Sequence, residues 1–361
     1  MSQGFLDRHI FNPEADPPDD EPIFDGLLSK PDLAVWVGRE KHRKSNVALQ
    51  LAICAATGRD FLNFKFASPE PLKVVIVDYE SKNAKGKFPR RYEAICRALN
   101  LTQPEREMLK ANLKVILVRE LYKAGRDFPR FPVKPTKDKK ADARAEQHWA
   151  QFAKDYPADL YVFDPMRSLH AEQENDSLIE ALLSRLRQSF PNAALVVLHH
   201  MSKPDGEHMV SLRDDMRRFS DGARGSTATK ASADVIMCQE RTMQEDTETV
   251  YFGAFMREGA DVDPIPLVET DHESFCWRPT ASVPDHLRDS FEALRRVGRP
   301  FRQKKEAVEA IAASTGKPVK TAYRHVADLM NRGLLARRDG LIVVSDSVDK
   351  ATGPEAASVR I

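Results

Sequence analysis

The chain has no run that approaches the roughly 18 consecutive apolar residues a membrane span needs, so the sequence pattern excludes a helical membrane protein. Its first residues, MSQGFLDRHIF, lack the basic-then-apolar layout of a signal peptide. Cysteine is sparse. Cys54, Cys96, Cys238 and Cys276 are scattered without a C-x-x-C pair, which argues against a zinc site or a disulfide framework and for reduced thiols in a cytoplasmic protein. Three of the four lie in apolar stretches, where a buried, inert thiol is the simpler reading. Internal repeats are also lacking. The net charge of +1 carries little information until it is divided along the chain.

What is present is an ordinary globular composition, 42% hydrophobic and 30% charged over 361 residues, enough for one to three domains. Charge is unevenly placed. Residues 14–25, EADPPDDEPIFD, hold six carboxylates and no base; residues 119–144 are basic and proline-punctuated. Residues 286–344 carry thirteen Lys and Arg against six Asp and Glu, a local excess that suits a polyanion, with a solvated charged face as the bland alternative. These shifts divide the chain into an acidic N-terminal arm (1–27), a central domain (28–279), a small basic domain (285–346) and a tail (347–361).

In the central domain, continuous apolar runs at Leu33–Val37, Val74–Val77, Val115–Val118, Leu160–Phe163 and Leu195–Leu198 read as strands buried on both faces. They alternate with helical patterns such as the Leu178, Ile179, Leu182, Leu183, Leu186 stripe. The alternation predicts an α/β fold with a mainly parallel sheet flanked by helices, completed by SADVIM and TVYFGAFM. After a break at PTASVP, helices at Leu287–Val297, Gln303–Ser314 and Val319–Asn331 precede a Gly333 stop and a hairpin turning at Asp339-Gly340. That order is a winged helix-turn-helix pattern. Lys320, Thr321, Tyr323, Arg324 and His325 stand near the start of its third helix, with Arg337 and Arg338 on the hairpin. Duplex DNA is the expected partner, and a protein partner the alternative.

The chemistry turns on VWVGREKHRKSNVALQLA, residues 35–52. An apolar strand, a loop opening at Gly38, then Lys44-Ser45 and a helix match a phosphate-binding loop, in which backbone N–H groups and a lysine surround phosphate and the hydroxyl meets Mg²⁺. The pattern G-x-x-x-x-G-K-[ST] wants glycine before the lysine, and Arg43 stands there instead. Arg43 could point outward, fold onto the phosphates as an extra cation, or occupy the site and exclude nucleotide. Downstream, Glu80 follows the second strand, Asp164 ends LYVFD, His199-His200 end a further strand, and Arg224 lies in a Gly/Ser-rich loop. Each has a bland alternative as a strand cap, a surface carboxylate or a core histidine; their order makes coincidence a poor account of all of them.

VDYES, FDPMRSLHAEQEND, LHHMSK and RGSTATKASAD resemble, in sequence and order, segments of the RepA-type hexameric helicases of broad-host-range plasmids, within the RecA/DnaB-like P-loop ATPases. The resemblance spans roughly residues 25–260. It implies that Lys44 and Ser45 bind ATP phosphate and Mg²⁺, that Glu80 is the catalytic base, and that Asp164 supports the metal. It further implies that His200, with His199, senses the γ-phosphate, that Arg224 is an inter-subunit arginine finger, and that Arg257 faces a neighbour's nucleotide. The lysine usual before that last position is replaced by Phe255. Two readings follow. One is an ATP-driven homo-oligomeric ring, a hexamer by resemblance, that moves single-stranded DNA past Arg213, Arg217 and Arg218 and is recruited to duplex by the winged helix. The other is a hydrolysis-deficient DNA-binding regulator or assembly subunit with a degenerate loop. A DNA-replication role on a mobile element is compatible with the first.

Overall fold

The structure, a computed structural model, describes residues 21–344 apart from 82–85, 129, 132, 134–138, 171–173, 202–209, 245–246, 271–272, 280–284, 332–333 and 339–340. A short antiparallel pair, β1 (Glu21–Phe24) and β2 (Leu28–Lys30), leads into β3 (Leu33–Gly38). The phosphate-loop segment then opens α1 (Lys44–Thr57). There follow β4 (Val74–Asp78), α2 (Lys87–Ala98), α3 (Gln103–Asn112), β5 (Leu113–Leu117), α4 (Val118–Lys123), α5 (Lys139–Asp155), β6 (Leu160–Asp164), α6 (Asp176–Ser189) and β7 (Ala194–His200). The body closes with α7 (Met216–Ser220), α8 (Ser226–Ser232), β8 (Val235–Gln244), β9 (Thr247–Met256), β10 (Val262–Glu269) and β11 (Trp277–Pro279).

The strands form one nine-stranded sheet in the order β11-β10-β9-β8-β3-β7-β6-β4-β5. From β8 to β5 every pairing is parallel, and β8 to β11 continue antiparallel. The loop strand β3 and the Asp164 strand β6 are separated by β7, and Glu80 follows β4 on the far side of β6. All the strand ends that carry sequence-predicted chemistry therefore open on one edge.

Val, Leu and Ile dominate β3, β4, β6 and β7 because both faces are covered. One cluster joins α1 to the even-numbered face, with Ala34, Trp36, Val196 and Leu198; the other joins α5 and α6 to Leu33, Val35, Leu195 and Val197. In α6 the Leu178, Ile179, Leu182, Leu183, Leu186 stripe is fully buried, each side chain contributing roughly 1.5–3 kcal/mol. The Asn175 side chain accepts from Leu178 N at 3.0 Å to start that helix. All four cysteines are buried.

Two expectations need correction. The acidic arm does not extend to residue 27: Ile23, Phe24 and Leu27 are buried in the first cluster, because β1 pairs with β2 and Phe24 packs against Phe61. The fifth apolar run shifts: Leu113 begins β5, and Val118 opens a helix. In the basic stretch 119–144, Phe131 stacks on Trp149 at 3.9 Å and, with Phe128 and Val133, is anchored in the second cluster.

The last segment forms α9 (Asp285–Val297), α10 (Lys304–Thr315), α11 (Val319–Asn331) and a hairpin of β12 (Leu335–Arg338) and β13 (Leu341–Val344). It has its own core around Leu287, Phe291, Ile311, Val326 and Ile342. The expected stop at Gly333 and the turn at Asp339-Gly340 lie outside the described residues. Among the described residues no helix is long and apolar enough to cross a membrane.

Candidate functional site

Gly38 ends β3 where a Cβ would meet the Gln239 carbonyl at 2.5 Å, so only glycine lets the loop leave the sheet beside β8. The loop then reaches α1 through Arg43, whose backbone is left-handed at φ 67° and ψ 9°. That conformation is natural for glycine and costs an arginine roughly 1 kcal/mol or more. The chain thus keeps the glycine-type turn without glycine. The Arg43 side chain reaches across to β9. Its Nε and Nη2 donate to the two carboxylate oxygens of Glu248 on β9 at 2.8 and 3.0 Å. Of the three placements open from sequence, this pairing fits the outward one, with Arg43 still in the wall of the site.

Lys44 is buried and donates through Nζ to the carbonyls of Gly38 (2.6 Å) and Arg39 (2.9 Å). Burial lowers its pKa to about 8, against the pull of Asp164 and Glu80. The Ser45 hydroxyl lies near Asp164 and favours its charged form. Burial pushes the Asp164 carboxyl up to about 6, and the neighbouring charge of Asp78 adds to the rise.

Asp78 went unnoticed in the sequence although it sits two residues before Glu80. It accepts from the backbone N–H groups of Glu80 and Ser81, both at 2.8 Å, and from the Ser81 hydroxyl at 2.5 Å. It thereby shapes the turn that delivers Glu80. His200 Nδ1 lies 3.3 Å from Lys44 Nζ, and its Nε2 lies 3.8 Å from Glu80 Oε1. An ammonium only donates, so Nδ1 accepts and Nε2–H faces the carboxylate. The imidazole beside Glu80 holds that carboxyl below its usual range.

Two contiguous cavities open here. One of about 410 Å³ is lined by Lys41, Lys44, Ser45, Glu80, His200 and Arg241, among others. The second, of about 800 Å³, shares Arg43, Asn46, Glu80 and Arg91 with it and adds Phe88 and Phe275. Arg91 was not legible in sequence. It reaches Asn46 Oδ1 at 3.3 Å and Asp78 Oδ2 at 3.7 Å. Gln50 on α1 bonds both backbone groups of Trp277 at 2.8 Å, fixing β11 beside the larger cavity.

Other predicted residues fall elsewhere. Alternation along β7 turns His199 to the opposite face from His200, so the pair does not jointly face phosphate. His199 Nε2 instead contacts the Arg224 carbonyl at 2.7 Å. The Arg224 guanidinium donates to Glu174 at 3.1 Å, and Glu174 also lies 3.8 and 3.9 Å from His170 and His199. Arg257 stands beyond the β9 end that pairs with the start of β8, away from this chain's own phosphate loop; its N–H bonds Asp234 O at 2.8 Å. Arg213 lies over the Tyr251 ring, and Arg217 lies over Phe255 and is ion-paired to Asp261, so neither is an unengaged loop cation. Arg218 is exposed on α7. In α11, Lys320, Tyr323 and Arg324 are exposed and Thr321 is half-buried, but His325 is buried and meets Ser290 Oγ at 2.7 Å. The side chains of Arg337 and Arg338 lie outside the described residues.

A parallel sheet with the loop strand one strand removed from the Asp164 strand, and lysine, serine and two carboxylates at its open edge, defines a P-loop ATPase of the RecA type. A family model described as an AAA domain, AAA_25, matches residues 8–206, more than half of the chain, and the chain belongs to that family. The chain is also similar to the solved structure of a KaiC-like protein from Pyrococcus horikoshii, at 12% identity and a TM-score of 0.44, over 71% of this chain and 93% of that one. No curated protein matches it.

Proposed function

We propose that this protein binds and hydrolyses ATP with Mg²⁺ as an oligomer acting on DNA, in the manner of a ring-forming helicase. The observation that carries the reading is the convergence of Lys44, Asp164, Glu80 and His200 on a loop whose Arg43 side chain is paired to Glu248 on β9. Polyphosphate fits the smaller cavity, where Lys44 exchanges its loop carbonyls for phosphate oxygens. The nucleoside fits the larger one, between Phe88 and Phe275.

The donor set suits Mg²⁺, which prefers one or two carboxylates plus hydroxyl, water and substrate phosphate over an all-protein cage. Among the described residues no cluster of three or more His, Cys, Asp or Glu could hold a metal. Ser45 and Asp164 would hold it, with Asp78 behind them, and the excess negative charge of this buried pair favours a cation. When bound, Mg²⁺ draws charge from the phosphate oxygens.

Glu80, kept ionised beside His200, accepts the proton of the attacking water. His200 links that carboxylate to Lys44 and so reports on phosphate occupancy. Arg224 and Arg257, both outside this chain's own pocket, act on a neighbouring subunit's nucleotide in this reading. The three-helix unit with its hairpin serves as a winged helix, presenting Lys320, Tyr323 and Arg324 to duplex DNA.

The test is ATP binding and turnover by the full chain with and without single-stranded DNA, beside Lys44→Ala. DNA-stimulated turnover that Lys44→Ala abolishes supports the motor. Nucleotide binding without turnover supports the regulator.

A further inference from the structure

Arg43 occupies a glycine conformation and has no side-chain capping bond to offset it. The compensation comes from β9. Glu248 receives both Arg43 nitrogens in parallel, and Arg241 Nη2 donates to the same Glu248 Oε2 at 3.0 Å. Such paired, charge-assisted bonds fix direction as well as adding energy. The neighbouring strand β8 grips the loop at His42: Gln239 Nε2 donates to the His42 carbonyl at 2.5 Å, and Arg241 N donates to the imidazole Nδ1 at 3.1 Å.

Both arginines line the smaller cavity, which already holds Lys41 and Lys44, while Glu248 does not line it. One carboxylate therefore pairs two guanidiniums on the wall of a pocket shaped for polyanions. We infer that Glu248 is a positioning residue for nucleotide turnover, clamping Arg43 outside the phosphate cradle so that a loop with arginine in place of glycine stays open. The inference rests on the reading that this loop binds nucleotide phosphates.

Without the clamp, Arg43 and Arg241 can turn to a polyphosphate in the cavity they line, with Glu269 as the other carboxylate near Arg43. A cation that contacts ATP and ADP alike adds uniform binding, which tightens both complexes and slows product release without helping the transition state. Glu248 thus explains how the arginine is tolerated. It also makes the cost of losing Glu248 depend on Arg43.

The experiment compares the full-length wild type with Glu248→Gln, Arg43→Gly and the double variant, measuring the affinity of fluorescent ADP, kcat for ATP, and thermal unfolding. Glu248→Gln is expected to bind ADP about tenfold more tightly, with kcat reduced by a similar factor. Arg43→Gly is expected to remove the dependence on Glu248, so that the double variant matches Arg43→Gly in both values. Equal defects in Glu248→Gln and the double variant would overturn the clamp, because Glu248 would then act on the β8–β9 ribbon and not through Arg43. Unchanged ADP affinity and kcat in Glu248→Gln would overturn it too. Failure of all four proteins to bind ADP or ATP, with unfolding intact, would sink the nucleotide reading and the clamp together; normal ADP binding with an unaltered Glu248→Gln sinks the clamp alone.

Discussion

Asp78 and Asp164 are direct partners in the parallel register of β4 and β6, two carboxylates side by side at the site edge of the sheet. Both are buried, and Asp164 is raised to about 6 by burial and then by the charge of Asp78. Its folded-state pKa lies above the unfolded value near 4, so the folded chain holds this proton more tightly. Ionising Asp164 as pH rises through about 6 costs roughly 2–3 kcal/mol that is absent below about pH 4. Asp164→Asn is therefore expected to raise the melting temperature of the ligand-free protein by a few degrees at pH 7.5, to change it little at pH 4, and to abolish turnover. Unfolding curves at the two pH values check this, and a lower melting temperature at pH 7.5 would contradict the like-charge account.

Glu80 and Lys44 separate chemistry from binding. In the proposed reaction Glu80→Gln removes the proton acceptor while leaving the loop, Lys44 and Ser45 in place. Turnover is expected to fall by roughly 10²–10⁴ with ADP affinity nearly unchanged. Lys44→Ala is expected to lose nucleotide affinity itself. Equilibrium binding beside single-turnover rates distinguishes the two, and a Glu80→Gln variant that turns over normally would remove Glu80 from the chemistry.

Glu174 holds Arg224 from a buried position: its side chain is 3% exposed and that of Arg224 is 48% exposed. Burial alone would raise the Glu174 carboxyl, but His170, His199 and Arg224 hold it at about 2. A depressed carboxylate stabilises the fold above its unfolded pKa and loses that contribution as pH falls from about 4 toward 2. Glu174→Gln is expected to lower the melting temperature by several degrees at pH 7.5, with the gap from wild type narrowing below pH 4. Arg224→Ala is expected to change stability less and turnover more. Mixing Arg224→Ala with Lys44→Ala subunits tests the shared site: partial recovery of turnover requires an Arg224 from one chain to serve the Lys44 of another.

The sheet was legible because four central strands are near-continuous apolar runs and Asp164 and His200 stand at the ends of two of them. The phosphate loop was legible by position. What escaped notice has no local pattern. Glu248 follows Arg43 by 205 residues and meets it only because β9 folds back along β8. Arg91 becomes a site residue because α2 brings it to Asp78 at the end of β4, and Glu174 through a fold that buries it against two histidines. His199 misled for a simpler reason: adjacent residues on a strand face opposite ways, so only one of two neighbouring histidines can face the pocket.

The C-terminal unit offers a test independent of nucleotide. Lys320, Tyr323 and Arg324 fall at i, i+3 and i+4 of α11 and are all exposed, whereas Ala322, His325 and Val326 turn into the core. One face of the helix is thus free to carry two cations and a ring into a groove, and the other cannot be spared from packing. If the exposed cations meet phosphates, Lys320→Ala and Arg324→Ala should each weaken duplex binding and each reduce the slope of log affinity against log salt by about 1. Tyr323→Ala, carrying no charge, should weaken binding without changing that slope. His325→Ala should act differently again, lowering thermal stability through the loss of its buried bond to Ser290. Fluorescence anisotropy of labelled duplex at several salt concentrations reads all four variants, and an unchanged salt slope in both cation variants would assign this face to a protein partner instead.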